Sequence, residues 1–245
     1  MRLLLHACCA PCSVSCVKAL RAVEADSEGI EPRLFWYNPN IHPYSEYKLR
    51  RGCLEEFAAN ENLTLNMVGE YGLHSFLDEV YPETENRCVK CYRMRLEKTA
   101  SAAAKEGYNA FSTTLLISPY QDHDAIRRAG EDAAAKYAVD FFYRDFRPLF
   151  RDGQSAARAR GMYMQKYCGC IFSEEERNLR VTRRIAPCAI ANDKRNSDDN
   201  SRPPEPPVEQ KFHRLTLLIG EENLEKLRKT RVLVFGAGGV GSWAA

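Results

Sequence analysis

Strand-like and helix-like segments alternate along most of this chain, and that order constrains its fold more than any single motif. "RLLLH" (Arg2–His6) reads as a short buried strand, and Pro11 suits the first turn of the helix behind it. "RLFWYNP" is a second strand ending in an Asn-Pro turn, "YSEYKLRRGCLEEFAANEN" a charged amphipathic helix, and "LTLNMV" a third strand. "CVKCYRMRLEKTASAAAKEG" reads as a helix closed by Gly107, and "AFSTTLLISP" as a fourth strand. The helix "DHDAIRRAGEDAAAKYAV" and the short aromatic strand "DFFYR" complete the series. Strands separated by helices cannot pair as hairpins. They predict an α/β fold with a parallel sheet covered on both faces. In such a sheet, functional groups gather beyond the carboxyl ends of the strands. Cys8 and Cys9, Asn38 to His42, and Ser118 to Gln121 all fall there.

The pattern changes after about residue 185. "NDKRNSDDNSRPPEPPVEQ" (Asn192–Gln210) is polar and Pro-rich, the composition of a disordered linker. Beyond it come an amphipathic helix, a strand "RVLVF" and the Gly-rich turn "GAGGVGS" opening another helix. The expected division is therefore a first domain over 1–190, a linker over 191–210 and an incomplete Rossmann-type domain over 211–245, since residues 236–245 hold no partner strand for "RVLVF".

The formal net charge is only +2, so any nucleic-acid contact must come from a local basic patch. Lys48–Arg51, Arg93, Arg95, Arg127 and Arg128 could meet phosphates, and a solvated helix face explains each equally well. No apolar run reaches the roughly 18 residues of a membrane span, and a secretory signal is not evident, so the expected compartment is the cytoplasm.

Against that expectation, ten cysteines are many. In a reducing compartment, clustered cysteines serve metals or redox catalysis more often than structural cross-links. Six of them make three tight pairs: Cys8-Cys9, Cys88-x-x-Cys91 and Cys168-Gly169-Cys170. Cys53 and Cys188 read as core packing, and Cys12 and Cys16, four apart on one helix face, are assigned to packing ahead of ligation. Only a loop after the first strand can turn both Cys8 and Cys9 toward one ligand, and the helix N-terminus that comes next favours anionic sulfur. Cys88-x-x-Cys91, expected just before a helix, offers two more thiolates. Four thiolates suit a tetrahedral zinc or an iron–sulfur cluster. Adjacent cysteines are an awkward chelate for one small zinc ion, which favours the larger cluster. Gly169 permits the tight backbone of a reducible Cys-x-Cys disulfide, and a metal-ligand pair is the alternative. His42 and His123 are expected at the surface, and Asp122 as a helix N-cap.

Together "LLLHACCAPCS", "YNPNIHPYSEY", "RCVKCYRMRL", "TTLLISPYQ" and "YCGCIFS" resemble the cobalamin-independent epoxyqueuosine reductase family, QueH, over residues 3 to about 180. The resemblance implies a HUP-like Rossmannoid fold and the last step of queuosine synthesis, in which an epoxide at the wobble position of tRNA with a GUN anticodon is reduced. It implies a [4Fe-4S] cluster on Cys8, Cys9, Cys88 and Cys91 and a redox-active disulfide between Cys168 and Cys170. It also implies an additional iron of unassigned ligands, for which Asp122 could free a cysteine, and an electron donor of unknown identity. His6, His42 and Tyr120 are then candidate proton donors, and Tyr37, Tyr44 and Tyr120 candidate stacking partners for the substrate base. The rival readings are a zinc-stapled tRNA-binding module and a HUP-type tRNA thiolation enzyme. The second expects a phosphate-binding Ser-Gly-Gly-x-Asp-Ser loop where "HACCAPCS" stands. The tail, "RLTLLIGEENLEKLRKTRVLVFGAGGVGSWAA", resembles the start of an E1/ThiF-like tRNA threonylcarbamoyladenosine dehydratase. Gly236, Gly238, Gly239 and Gly241 would approach ATP phosphates there, in a site too incomplete for adenylation.

Overall fold

A computed structural model of the chain describes residues 1–22, 30–69, 71–81, 83–182 and 220–229. Five strands form one parallel sheet in the order β3-β2-β1-β4-β5: β1 Leu3–His6, β2 Pro32–Trp36, β3 Leu65–Met67, β4 Ala110–Thr113 and β5 Asp140–Phe141. β1 lies at the centre, with Leu5 in register with Leu34 on one side and Ser112 on the other. All four of its residues are buried, which is why its sequence is apolar without alternation.

Helices cover both faces, as the strand–helix order requires. α1 (Ala10–Arg21) packs against α2 (Tyr44–Asn60) and α6 (Phe150–Ala159). α4 (Arg87–Lys105) packs against α3 (Leu73–Val80), α5 (His123–Tyr137) and the strands β1 and β4. Small residues make the close approaches possible. A Cβ on Gly153 of α6 would lie 2.8 Å from the Ser15 hydroxyl of α1. On α5, a Cβ on Gly130 would lie 2.4 Å from the Phe141 ring, which is itself held against Phe111. Gly130→Ala is therefore expected to cost about 1–3 kcal/mol in urea-denaturation stability, through displacement of that ring. An unchanged midpoint would contradict the packing described.

Local chemistry sets the element ends. Asp122 caps α5, its carboxylate accepting from the Ala125 N–H at 2.9 Å, as expected. α4 closes at Gly107, whose φ of +69° suits glycine. The fourth strand is shorter than its sequence suggests. The Thr113 hydroxyl accepts from the Leu115 N–H at 3.1 Å and turns Thr114–Ile117 into a 3-10 helix. α3, α6 and α7 (Ile171–Thr182) stand where the sequence pattern assigns no helix. Beyond this unit, Glu221–Lys229 forms a helix, α8, with an i,i+4 ion pair between Lys226 and Glu222. The linker over 191–210, Cys188 and the glycines Gly236, Gly238, Gly239 and Gly241 lie outside the described residues. No described helix is long and apolar enough to cross a membrane.

Candidate metal and redox site

Strand order reverses at β1. The chain leaves β1 toward β2 on one side and reaches β4 on the other, which opens a crevice at their carboxyl ends. Cys8 and Cys9 come directly after β1, and Thr114 directly after β4. The Cys8 N–H donates to the Thr114 hydroxyl at 3.0 Å, and that hydroxyl donates to the Cys8 sulfur at 3.2 Å. Cys9 is the N-cap of α1, and Cys12 lies one turn on. The sulfurs of Cys8, Cys9 and Cys12 all lie within 4.8 Å of one another, the one such group of potential metal ligands among the described residues.

Cys12 packs in the core, as expected from the sequence, and its sulfur also falls in this candidate metal group. The sequence does carry a signal for it: Cys9-Ala-Pro-Cys12 has the same C-x-x-C spacing as Cys88 and Cys91, laid across a helix start. Cys16, fully buried one turn further, does pack in the core.

The three thiols are electrostatically linked. Donation from Cys12 and Cys9, aided by Arg95 and Thr114, pulls Cys8 well below the usual thiol range against the cost of burial. Burial pushes Cys9 up, and donation to Cys8 with burial pushes Cys12 up. The Gln165 amide donates to Cys9 at 2.8 Å.

The second cysteine pair lies inside α4, at its second and fifth residues, and not ahead of the helix. Cys88 is exposed and Cys91 buried, where desolvation pushes its thiol up to about 12. Both stand outside the 4.8 Å group. Arg95 links the two sets. Its guanidinium lies 3.8 Å from the Cys91 sulfur and acts on the charge of Cys8 and Cys168 as well.

Arg95 is 2% exposed, which rules out the surface phosphate contact considered for it. Its hydrogen-bond partners are Asn38 Oδ1 at 2.7 Å, His6 Nε2 at 3.3 Å and the Cys91 sulfur, with no carboxylate among them. A buried cation without a carboxylate partner depends on other negative charge nearby, and the Cys91, Cys8 and Cys168 sulfurs are the groups that act on it.

The third pair sits on a clamped loop. Buried Arg50 donates to the carbonyls of Tyr167 at 3.0 Å and Cys168 at 2.8 Å, while its Nε pairs with Glu46 at 2.7 Å. The His42 N–H donates to the Gly169 carbonyl at 2.8 Å. Gly169 has φ +139°, and a Cβ there would press on Arg50 and Asn40 at 3.2 and 3.3 Å, so glycine is required. Cys168 and Cys170 are both free thiols. Cys168 is exposed, and Cys170 is buried beside Cys91 in a small apolar cluster with Phe76 and Val80. Gln121 donates to the Cys168 sulfur at 3.6 Å, its amide oriented by the Tyr92 hydroxyl, which donates to its oxygen at 2.8 Å. The Cys170 sulfur accepts from the Ser173 N–H at 3.4 Å at the start of α7.

α1 and α7 each start directly after a cysteine and Cys88 is the second residue of α4, positions where helix dipoles favour anionic sulfur. A cavity of about 660 Å³ opens over this floor, lined by Cys8, Cys12 and Cys168 and walled by Tyr120, Gln121, Arg151, Gln154 and Arg158.

The histidines differ from expectation. His6, His42 and His123 are all buried. Desolvation holds His6 down at about 3, with Arg95 adding to the effect, and it holds His42 down at about 4. Burial thus disfavours the charged imidazole at both positions. Arg50, within the "KLRR" run, is likewise interior, while Arg51 and Arg127 pair with Glu55 and Glu131 on solvated helix faces. Tyr120 is 83% exposed at the cavity mouth, and Tyr44 joins a ring cluster with Tyr47 and Tyr71.

Comparison with known proteins adds a family. The sequence model described as epoxyqueuosine reductase QueH matches residues 3–176. A Dehalococcoides mccartyi protein named epoxyqueuosine reductase QueH is 35% identical over 176 residues, spanning 72% of this chain and 94% of that protein. A Thermotoga maritima protein of the same name is 35% identical over 184 residues, spanning 71% and 91%. One from Haemophilus influenzae is 36% identical over 186 residues, spanning 72% and 73%.

Proposed function

This chain belongs to the epoxyqueuosine reductase QueH family, and on that premise we propose that its clustered thiols hold an iron–sulfur centre beside a redox-active cysteine pair. It is an oxidoreductase of the tRNA queuosine pathway that reduces epoxyqueuosine. The substrate in this reading is the modified wobble base of a tRNA with a GUN anticodon.

The donor set fits an iron–sulfur group. Soft sulfur ligands, cysteines at or near three helix N-termini and a buried guanidinium without a carboxylate partner all suit an anionic sulfur-rich centre. Cys8, Cys9, Cys88 and Cys91 are the proposed cluster ligands, and Cys12 is a further thiol for the additional iron. When bound, such a group supplies single electrons and a Lewis acid for oxygen.

The chain's own residues supply the rest. Removing the epoxide oxygen takes two electrons and two protons. Cys168 and Cys170 provide both: two S–H bonds and two C–O bonds break, an S–S bond and the alkene form, and the oxygen leaves as water. An external donor then returns two electrons and two protons to the disulfide. Gln121 orients the Cys168 sulfur, and Arg50 and the His42 N–H hold the loop that carries the pair. The observation that carries this reading is the gathering of Cys8, Cys9 and Cys12, of which Cys8 and Cys12 line a cavity whose wall bears Cys168.

Metal analysis of protein prepared without oxygen tests the centre. The expected result is iron with acid-labile sulfide and broad visible absorbance that bleaches on reduction. Colourless protein holding zinc alone would support the zinc-stapled module in its place. No part of this reading draws on residues 211–245, for which an E1/ThiF-like nucleotide-binding start remains a separate proposal.

A further inference from the structure

The charged residues in the wall of the cavity above the thiols are all cationic. Arg50, Arg95, Arg151, Arg158 and Lys166 line it, and no aspartate or glutamate does. Two of these cations are committed: Arg50 to Glu46 and the Cys168 loop, Arg95 to Asn38, His6 and Cys91. The other three are exposed, and their charged groups meet no partner among the described residues. Nearby cations behave differently, Arg160 pairing with Glu61 at 2.7 Å and Arg147 with Asp145 at 2.7 Å. Arg151, Gln154 and Arg158 stand at i, i+3 and i+7 on α6. They form one stripe, and its arginines lie about 10 Å apart along the helix. At the mouth Tyr120 holds its ring edge-on to Phe150, with centroids 5.9 Å apart and most of its surface in solvent.

We propose that Arg151, Arg158 and Lys166 bind successive phosphates of a single-stranded RNA loop, and that Tyr120 stacks on a base beside the one that enters the cavity. This assignment rests on the tRNA reading above. A row of unpaired cations selects a polyanion of matching length, and a free aromatic face selects unpaired bases. Gln154, between the arginines, is placed to donate to a phosphate or sugar oxygen. The near-neutral net charge does not oppose this, because the charge that matters is local.

The test is equilibrium binding of the full chain to an anticodon stem-loop RNA with unmodified guanine at the wobble position, measured across a salt series. The triple variant Arg151→Gln/Arg158→Gln/Lys166→Gln is expected to bind at least about tenfold more weakly at moderate salt. Its salt slope is expected to fall by about 2, since each lost single-strand contact removes about 0.7. Tyr120→Ala is expected to weaken binding about tenfold with little change in slope. Arg127→Gln/Arg128→Gln, on α5, serves as the control and is expected to match wild type. Triple-variant binding equal to wild type in affinity and slope would overturn the proposal. Turnover of epoxyqueuosine-containing tRNA separates it from the reaction itself. Wild-type turnover with an unchanged KM in the triple variant removes the RNA surface and keeps the reductase. Loss of RNA binding in the triple variant, with no turnover by wild type, keeps the surface and removes the reaction.

Discussion

Cys168→Ser is expected to lower turnover by at least about 10³-fold while leaving bound metal near the wild-type level. Cys168 faces the cavity, takes its orientation from Gln121 and lies outside the sulfur group at the floor. Its removal deletes one half of the two-electron donor and spares the centre below. Cys8→Ser and Cys88→Ser are expected to do the reverse in order of cause, losing metal first and activity as a consequence. Metal content and turnover measured on the same preparations separate the two classes. Normal turnover by Cys168→Ser would remove the dithiol role, and loss of metal from that variant would place Cys168 among the ligands.

The second large effect is expected at Arg95. A guanidinium this buried, whose partners are an amide oxygen, a neutral imidazole and sulfur, carries a desolvation cost that only nearby negative charge offsets. With the thiols deprotonated on a metal centre, Arg95→Met removes the counter-charge and is expected to cost about 3–5 kcal/mol. In metal-free protein, where Cys8 alone of the floor thiols is drawn toward its anion, the same substitution removes a charge that is only partly compensated. The loss then shrinks to about 1–3 kcal/mol, from the unpaired Asn38 oxygen. Arg95→Lys is expected to rescue poorly, because an ammonium cannot reach Asn38, His6 and Cys91 with one planar fork. Thermal melts of loaded and metal-free protein read the difference directly. Equal destabilisation of both forms would make Arg95 a scaffold residue with no electrostatic link to the centre.

Much of this is legible in the sequence. The apolar run at Leu3–His6 and the helix behind Pro11 already place Cys8 and Cys9 at a strand's carboxyl end, where the observed sheet opens. Asp122 reads correctly as a cap because Asp before a helical pattern has a local reason to be there. The misreadings come from facts that local pattern does not encode. Arg50 and Arg95 look like surface charges on amphipathic helices, and only the packing of α2 against the Cys168 loop and of α4 against β1 buries them. His42 and His123 look exposed for the same reason. Cys12 is no misreading: it packs in the core as its spacing to Cys16 suggests, and its spacing to Cys9 also places it in the candidate metal group. The sequence pattern assigns no helix to 150–159, and so hides the stripe of Arg151, Gln154 and Arg158 that walls the cavity.

The central claim is an epoxide reduction on RNA driven by a cysteine pair, and one measurement addresses it most directly. Epoxyqueuosine-containing tRNA is incubated without oxygen with the reduced, metal-loaded chain, and its nucleosides are separated by mass. Conversion to queuosine with loss of one oxygen is the predicted result, with near-complete loss of that conversion in Cys168→Ser. Epoxyqueuosine recovered unchanged from the wild-type reaction, with RNA bound and metal present, would contradict it.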